Sequence, residues 1–260
     1  MARTVLARIG LCLVWLAISC TAPALAASPD GGAHPFVGDV GFRVDGLLIS
    51  YAACHGVLVS DHVMVTSATC AAAVTGFLAG GPDHHVFVSF DEAPLDFQDP
   101  VNSFVSIVSA AADAPPPASK KDPTPLLGVL ILDVAGAPPG VFIPGPAHLP
   151  AAGAVSGLPR RTPITTVTYR GTRMDIVSDL IKVSADQFTV DIMTDAASQF
   201  SEPCGKGPDS GAASFMPGTA DVAAGVAIDA DAQCRMQTVV ARLDTARERA
   251  FFAGYGVPVP

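Results

Sequence analysis

Glycine and proline interrupt this chain so often that a bundle of helices is excluded: 24 Gly and 23 Pro fall among 260 residues. Proline fixes φ and removes a backbone donor, while glycine takes turn conformations that other residues resist. Between the breaks stand short, β-branched apolar runs at 36–44, 47–51, 56–60, 63–67, 86–90, 104–108, 128–132, 165–169, 176–183, 188–193 and 223–228. Short runs with partial alternation read as antiparallel strands of a sandwich or barrel, so the fold class is all-β. The one clear helix signature is terminal. Thr245-x-x-Glu248 forms a capping box, 250–253 suits a helix and Gly254 can end it. The proline-rich segment 135–153 reads as a connector between two halves, and 113–125, with Pro115-Pro116-Pro117, as a loop.

The chain carries 24 acidic and 15 basic side chains, a net charge of −9, without a basic cluster. That balance argues against nucleic-acid binding, because phosphate contacts need Lys and Arg. With 50% hydrophobic and only 15% charged residues, the chain is not intrinsically disordered. Arg3 and Arg8 precede an apolar run at 9–19, and Ala24-Leu25-Ala26 offers the small-x-small pattern of a signal-peptidase site. Residues 1–26 are therefore expected to be a signal peptide, whose removal takes away Trp15, the single tryptophan. Ala17-Ile18-Ser19-Cys20 also reads as a loose lipobox, which would make the protein a surface lipoprotein anchored at Cys20 rather than a secreted one. No other run reaches the ~18 apolar residues of a membrane span.

Cys12 and Cys20 fall in the leader, leaving Cys54, Cys70, Cys204 and Cys234. Four cysteines in an exported chain read as two disulfides with three possible connectivities. A four-Cys zinc site is the competing idea, and the lack of a C-x-x-C pair argues against it.

Cys54-His55-Gly56-Val57-Leu58-Val59-Ser60 followed by Val63 to Cys70 resembles the first barrel of trypsin-like serine proteases, with its C-x-G-x-L-I-S and V-L-T-A-A-H-C pattern. Pro208-Asp209-Ser210-Gly211-Ala212-Ala213 resembles their G-D-S-G-G-P motif. His34-Pro35-Phe36-Val37-Gly38 is similar to the start of mature bacterial members. Gly128-Val129-Leu130-Ile131-Leu132-Asp133 is similar to the strand after the family's aspartate, and Arg242-Leu243-Asp244-Thr245 to the C-terminal segment. The five stretches are collinear over nearly the whole exported chain. The resemblance implies two six-stranded antiparallel β-barrels with a short C-terminal helix, the first barrel spanning 34–134 and the second 154–256. It also implies the pairings Cys54–Cys70 and Cys204–Cys234, each closing a loop inside its own barrel, and a cleft between the barrels.

Acyl transfer to serine needs a base to take the hydroxyl proton, a carboxylate to orient that base and N–H donors for the oxyanion. The resemblance places Ser210 as the remnant nucleophile, Thr69 at the histidine position and Leu126 at the aspartate position, or Pro125 if one residue is inserted. Neither a threonine hydroxyl nor an aliphatic side chain ionises near neutral pH. Pro208 stands at the oxyanion glycine and has no N–H to give. Cys204 precedes Ser210 by two residues more than in the family, and Ile228-Asp229-Ala230 keeps none of its S-W-G segment. Asp209 matches a structural aspartate, and Asp122, the nearest carboxylate to Leu126, has no imidazole to orient. Among the other candidates, His34, His55, His62 and His148 read as ordinary histidines. His84 and His85 beside Asp83 would point to opposite faces of a strand, against a metal site. Lys206 is the remaining conceivable partner for Ser210. The sequence therefore implies an exported protease homologue without peptidase activity that binds a protein or peptide, with no cofactor and no metal; a divergent active endopeptidase is the alternative.

Overall fold

The computed structural model describes residues 28–45, 50–93, 104–113, 125–169, 172–191, 210–230 and 237–260. The leader, with its signal-peptide and lipobox readings, lies outside them, as do Asp122, Cys204, Lys206, Pro208, Asp209 and Cys234.

After the two-residue strand β1 (Ser28–Pro29), six strands close into a barrel: β2 (Val37–Val44), β3 (Ser50–Leu58), β4 (Val63–Ser67), β5 (His84–Ser89), β6 (Phe104–Ala112) and β7 (Leu127–Leu132). Their order is β2-β3-β4-β7-β6-β5, antiparallel throughout. Six more follow: β8 (Pro163–Tyr169), β9 (Arg173–Val183), β10 (Gln187–Asp191), β11 (Ala213–Phe215), β12 (Ala223–Ala230) and β13 (Gln237–Arg242). They run β9-β10-β13-β12-β11-β8, and pairing of β8 with β9 closes the second barrel. Closure leaves no long unpaired edge, which is how two small all-β units avoid edge-to-edge association.

Val57, Leu58, Val65, Val129 and Leu130 are fully buried in the first barrel. Each contributes roughly 1.5–3 kcal/mol on leaving water. The same packed cluster takes in Phe215, Val226 and Leu243 from the second barrel and Phe252 from the C-terminal helix, so the two barrels share a core at their junction. Arg242 and Asp244 lock the far side of the second barrel. The guanidinium donates to both Asp244 oxygens at 2.8 and 2.9 Å, to the carbonyls of Ser184 and Ala185, and to Ser156 Oγ. Asp244 Oδ2 in turn accepts from Val155 N–H at 2.8 Å, holding the short 3-10 turn Val155–Gly157.

Three features depart from the sequence reading. The runs at 47–51 and 56–60 are one nine-residue strand, β3. Strands β1, β11 and β13 carry too few large apolar residues to register as periodic runs. The third departure is an additional helix, α1 (Ala68–Leu78), directly after β4. Ser67 starts it: its backbone is extended and its Oγ accepts from Cys70 N–H at 3.1 Å, an N-cap. Alanines then carry the helix, and Ala68, Cys70, Ala71 and Val74 form its buried face. A face made of small residues gives little periodic signal, which is why the sequence shows only the terminal helix.

That terminal helix, α2 (Ala246–Ala253), is where the capping box placed it, with Thr245 Oγ1 accepting from Glu248 N–H at 3.2 Å. Only this half of the box is shown. The Glu248 carboxyl turns inward, fully buried, towards Asp113 and Arg247. No helix among the described residues is long and apolar enough to cross a membrane.

Cys54 of β3 and Cys70 of α1 form a disulfide, as the family resemblance implies, with a sequence separation of 16. Closing a loop of that size in the unfolded chain is worth about 3 kcal/mol. A Cys54→Ser, Cys70→Ser protein should lose about that much in denaturant titration; an unchanged midpoint would show that the helix is held by packing alone.

Candidate functional site

The site forms where the first barrel meets the segment entering β11. Strand β4 is buried along its whole length, and its last residue, Ser67, faces the second barrel's Ser210. Ser210 is held by its backbone: its carbonyl accepts from His55 N–H at 2.8 Å. Gly211 follows with φ +89°, and its N–H donates to Ala227 at 2.9 Å. Thr66 Oγ1 donates to the His55 carbonyl at 2.6 Å, completing a tight strand-to-strand seam beneath the serine.

The Ser210 hydroxyl lies 2.7 Å from Ser67 Oγ. Ser67 also accepts from Cys70 N–H, so this one hydroxyl serves both the helix cap and Ser210. A serine hydroxyl ionises far above neutral pH and cannot take a proton as a base does. Ser67 was not singled out in the sequence, although the signal was there: it replaces the first alanine of the V-L-T-A-A-H-C pattern.

Of the sequence-matched positions, Thr69 and Leu126 lie among the described residues. Thr69 is the second residue of α1 and is exposed. Leu126 is half-buried and packs against the core, and its carbonyl accepts from Ala68 N–H at 3.0 Å. The first turn of α1 is thereby satisfied by a carbonyl and a serine hydroxyl, without a carboxylate. Pro208 and Asp209 fall outside the described residues, as does the Cys204–Cys234 pairing, while Ile228-Asp229-Ala230 closes β12.

The histidines nearest in sequence to the motifs do not fill the base position. His55 shares β3 with Cys54, and neighbours on a strand point to opposite faces. Cys54 points towards α1, where it meets Cys70. His55 points the other way, into a fully buried space against Asp39, with Nδ1 to Oδ1 at 3.2 Å and its ring 5.5 Å from that of Tyr169. His62 sits on the surface beside Asp61, and His148 is exposed near Asp221. His84 caps α1's end through the Phe77 carbonyl at 2.8 Å, and His85 pairs with Asp45 at 3.2 Å. The Asp83-His84-His85 stretch therefore splits between unrelated partners.

These two barrels, with a serine delivered between them by the loop into β11, have the fold of trypsin-like serine proteases. Solved structures similar to this chain include human heparin binding protein, at 16% identity and TM-score 0.57, covering 90% of this chain and 96% of that one. The Vibrio cholerae VesB protease is similar at 12% identity and TM-score 0.60, covering 90% and 68%. HL collagenase is similar at 12% identity and TM-score 0.57, covering 86% and 95%. No protein-family model and no curated protein sequence matches the chain.

Proposed function

We propose that this protein is an exported member of the two-barrel protease fold that has lost peptidase activity and binds a protein or peptide through its cleft or cleft loops. The observation that carries the reading is the partner of Ser210: a second serine hydroxyl at 2.7 Å. Thr69 stands at the base position and Leu126 at the orienting position, and Pro208 withdraws an N–H from the oxyanion site. In a working serine protease, loss of the base alone costs on the order of 10⁶ in kcat. The fold is compatible with binding as a function, since one similar protein is named for binding heparin and two for proteolysis. The Cys54–Cys70 disulfide supports an oxidising, extracellular setting.

The purified exported protein should show no turnover of chromogenic peptides or denatured protein substrates, and no adduct with serine-directed phosphonates. Labelling needs the same activated hydroxyl as catalysis. Thr69→His alone should restore little, because Leu126 cannot orient an imidazole. Turnover that vanishes in Ser210→Ala would overturn the reading in favour of a divergent endopeptidase.

A further inference from the structure

The strongest polar cluster in the described residues lies away from Ser210, where the N-terminal segment crosses onto the second barrel. β1 pairs with β9 at Met174 and Asp175, and Asp30 N–H donates to the Arg173 carbonyl at 3.0 Å. The chain then turns, so that His34 N–H donates back to the Asp30 carboxylate at 3.0 Å. His34 Nδ1 lies between two carboxylates, 2.6 Å from Asp30 Oδ1 and 3.2 Å from Asp175 Oδ1. The other Asp30 oxygen accepts from Arg173 Nε at 2.6 Å. Side-chain exposure is 5% for His34, 0% for Asp30, 3% for Arg173 and 21% for Asp175.

Arg173 carries the connection onward. Its guanidinium donates to the Phe90 carbonyl at 3.0 Å and to Tyr169 Oη at 3.4 Å, and the Arg173 backbone N–H donates to the Glu92 carbonyl at 2.7 Å. Tyr169 Oη is 2.9 Å from the carbonyls of Val37 and Asp91 in the first barrel. The His34 ring packs 4.5 Å from Phe215 on β11, the strand that follows Ser210. One group of four side chains thus joins the N-terminal segment, both barrels and the strand leaving the site.

Charge decides the state of this group. Asp30, Asp175 and Arg173 leave one negative charge uncompensated in a largely buried space, and a protonated His34 makes the four groups neutral. We propose that Asp30, His34, Arg173 and Asp175 form a proton-operated clasp on the N-terminal segment, closed while His34 is an imidazolium and opened when it becomes neutral. Burial alone would lower the His34 pKa, but the hydrogen bonds and charges of Asp175 and Asp30 outweigh it and raise the value above 6.5. Arg173 and His34 likewise hold Asp30 below 3.8 against the opposing effect of burial. A folded pKa raised above the unfolded one means the clasp's contribution is complete below pH 6.5 and is lost as pH climbs through the folded value. The three donor atoms of Asp30, His34 and Asp175 lie within 4.8 Å of one another, a spacing a divalent cation could bridge. The Arg173 guanidinium already takes the second Asp30 oxygen and supplies the compensating charge, which favours the proton.

The test is amide exchange on the full exported protein between pH 5 and 9, corrected for the intrinsic exchange rate, together with NMR titration of His34. The Asp30 and His34 amides should lose protection by up to ~10-fold per pH unit between pH 6.5 and the His34 midpoint and level off above it, while Val129 and Leu130 in β7 keep theirs. Asp175→Asn should move that midpoint down by about one unit. His34→Gln should leave the same two amides poorly protected at every pH. A His34 midpoint at or below 6.5, the wild-type profile persisting in His34→Gln, or parallel loss of protection in β7 would each overturn the clasp. So would restored protection at pH 9 on adding one equivalent of Zn²⁺, which would make the closing ion a metal.

Discussion

The Gly211→Ala protein is expected to lose more than about 4 kcal/mol of stability, a loss in the range reserved for severe backbone conflicts. Two costs combine. Gly211 has φ +89°, where an L-residue is strained by about 1 kcal/mol. The larger cost is space: a Cβ there would sit 1.8 Å from the His55 carbonyl oxygen and 2.6 Å from Thr66 Oγ1. The nearer atom is backbone of β3, which the Cys54–Cys70 disulfide and the barrel register hold in place. Relief would require pulling the Ser210 segment off the seam, breaking the His55–Ser210 backbone bond. Gly218→Ala separates the two costs. Gly218 also has positive φ, +76°, but nothing lies within 4 Å of its virtual Cβ. It should lose only about 1 kcal/mol. Denaturant midpoints of the two variants check this, and equal losses would show that conformation rather than crowding governs the seam.

A second large effect should appear as a pH dependence at the C-terminal helix. Glu248 is fully buried, and burial, aided by the neighbouring Asp113 carboxyl, pushes its pKa from 4.5 up to about 8. Arg247, paired with Asp113, opposes the shift without cancelling it. Glu248 is therefore neutral at physiological pH, and its raised value fixes the sign. Its contribution to stability is complete below pH 4.5 and is lost as pH rises through 8. Glu248→Gln keeps the shape and removes the titration. Relative to that variant, the wild type should lose on the order of 5 kcal/mol between pH 4 and pH 9. Thermal or urea unfolding of both proteins across that range measures it; parallel curves would show that Glu248 is already ionised in the folded state.

Much of the fold was legible because the signals were local. Turn residues fixed where strands stop, β-branched runs marked β2, β4, β5 and β7, and Thr245-x-x-Glu248 marked the start of α2. The collinear motifs then selected the two-barrel topology, and with it the Cys54–Cys70 pairing, which periodicity alone leaves open among three connectivities. Helix α1 and strands β11 and β13 were not legible for a shared reason: they are held by tertiary packing rather than by their own apolar pattern. Ala213 of β11 and Ala241 of β13 are fully buried, and alanine carries no periodic mark.

The candidate site divides in the same way. Residue chemistry can be read from sequence, because the threonine at position 69 has no ionisable side chain and the proline at 208 no backbone N–H wherever the chain places it. Juxtapositions cannot. Ser67 and Ser210 are 143 residues apart, and Asp30 and Arg173 are also 143 apart, yet each pair is within hydrogen-bond reach. The sequence by itself determined the all-β class and, through its motif, the first disulfide. The tertiary structure decided what faces Ser210, which way the Glu248 carboxyl turns and how four titratable groups come together at the N-terminal segment. Those outcomes depend on strand register and barrel closure, which bring together residues whose identities carry no information about each other.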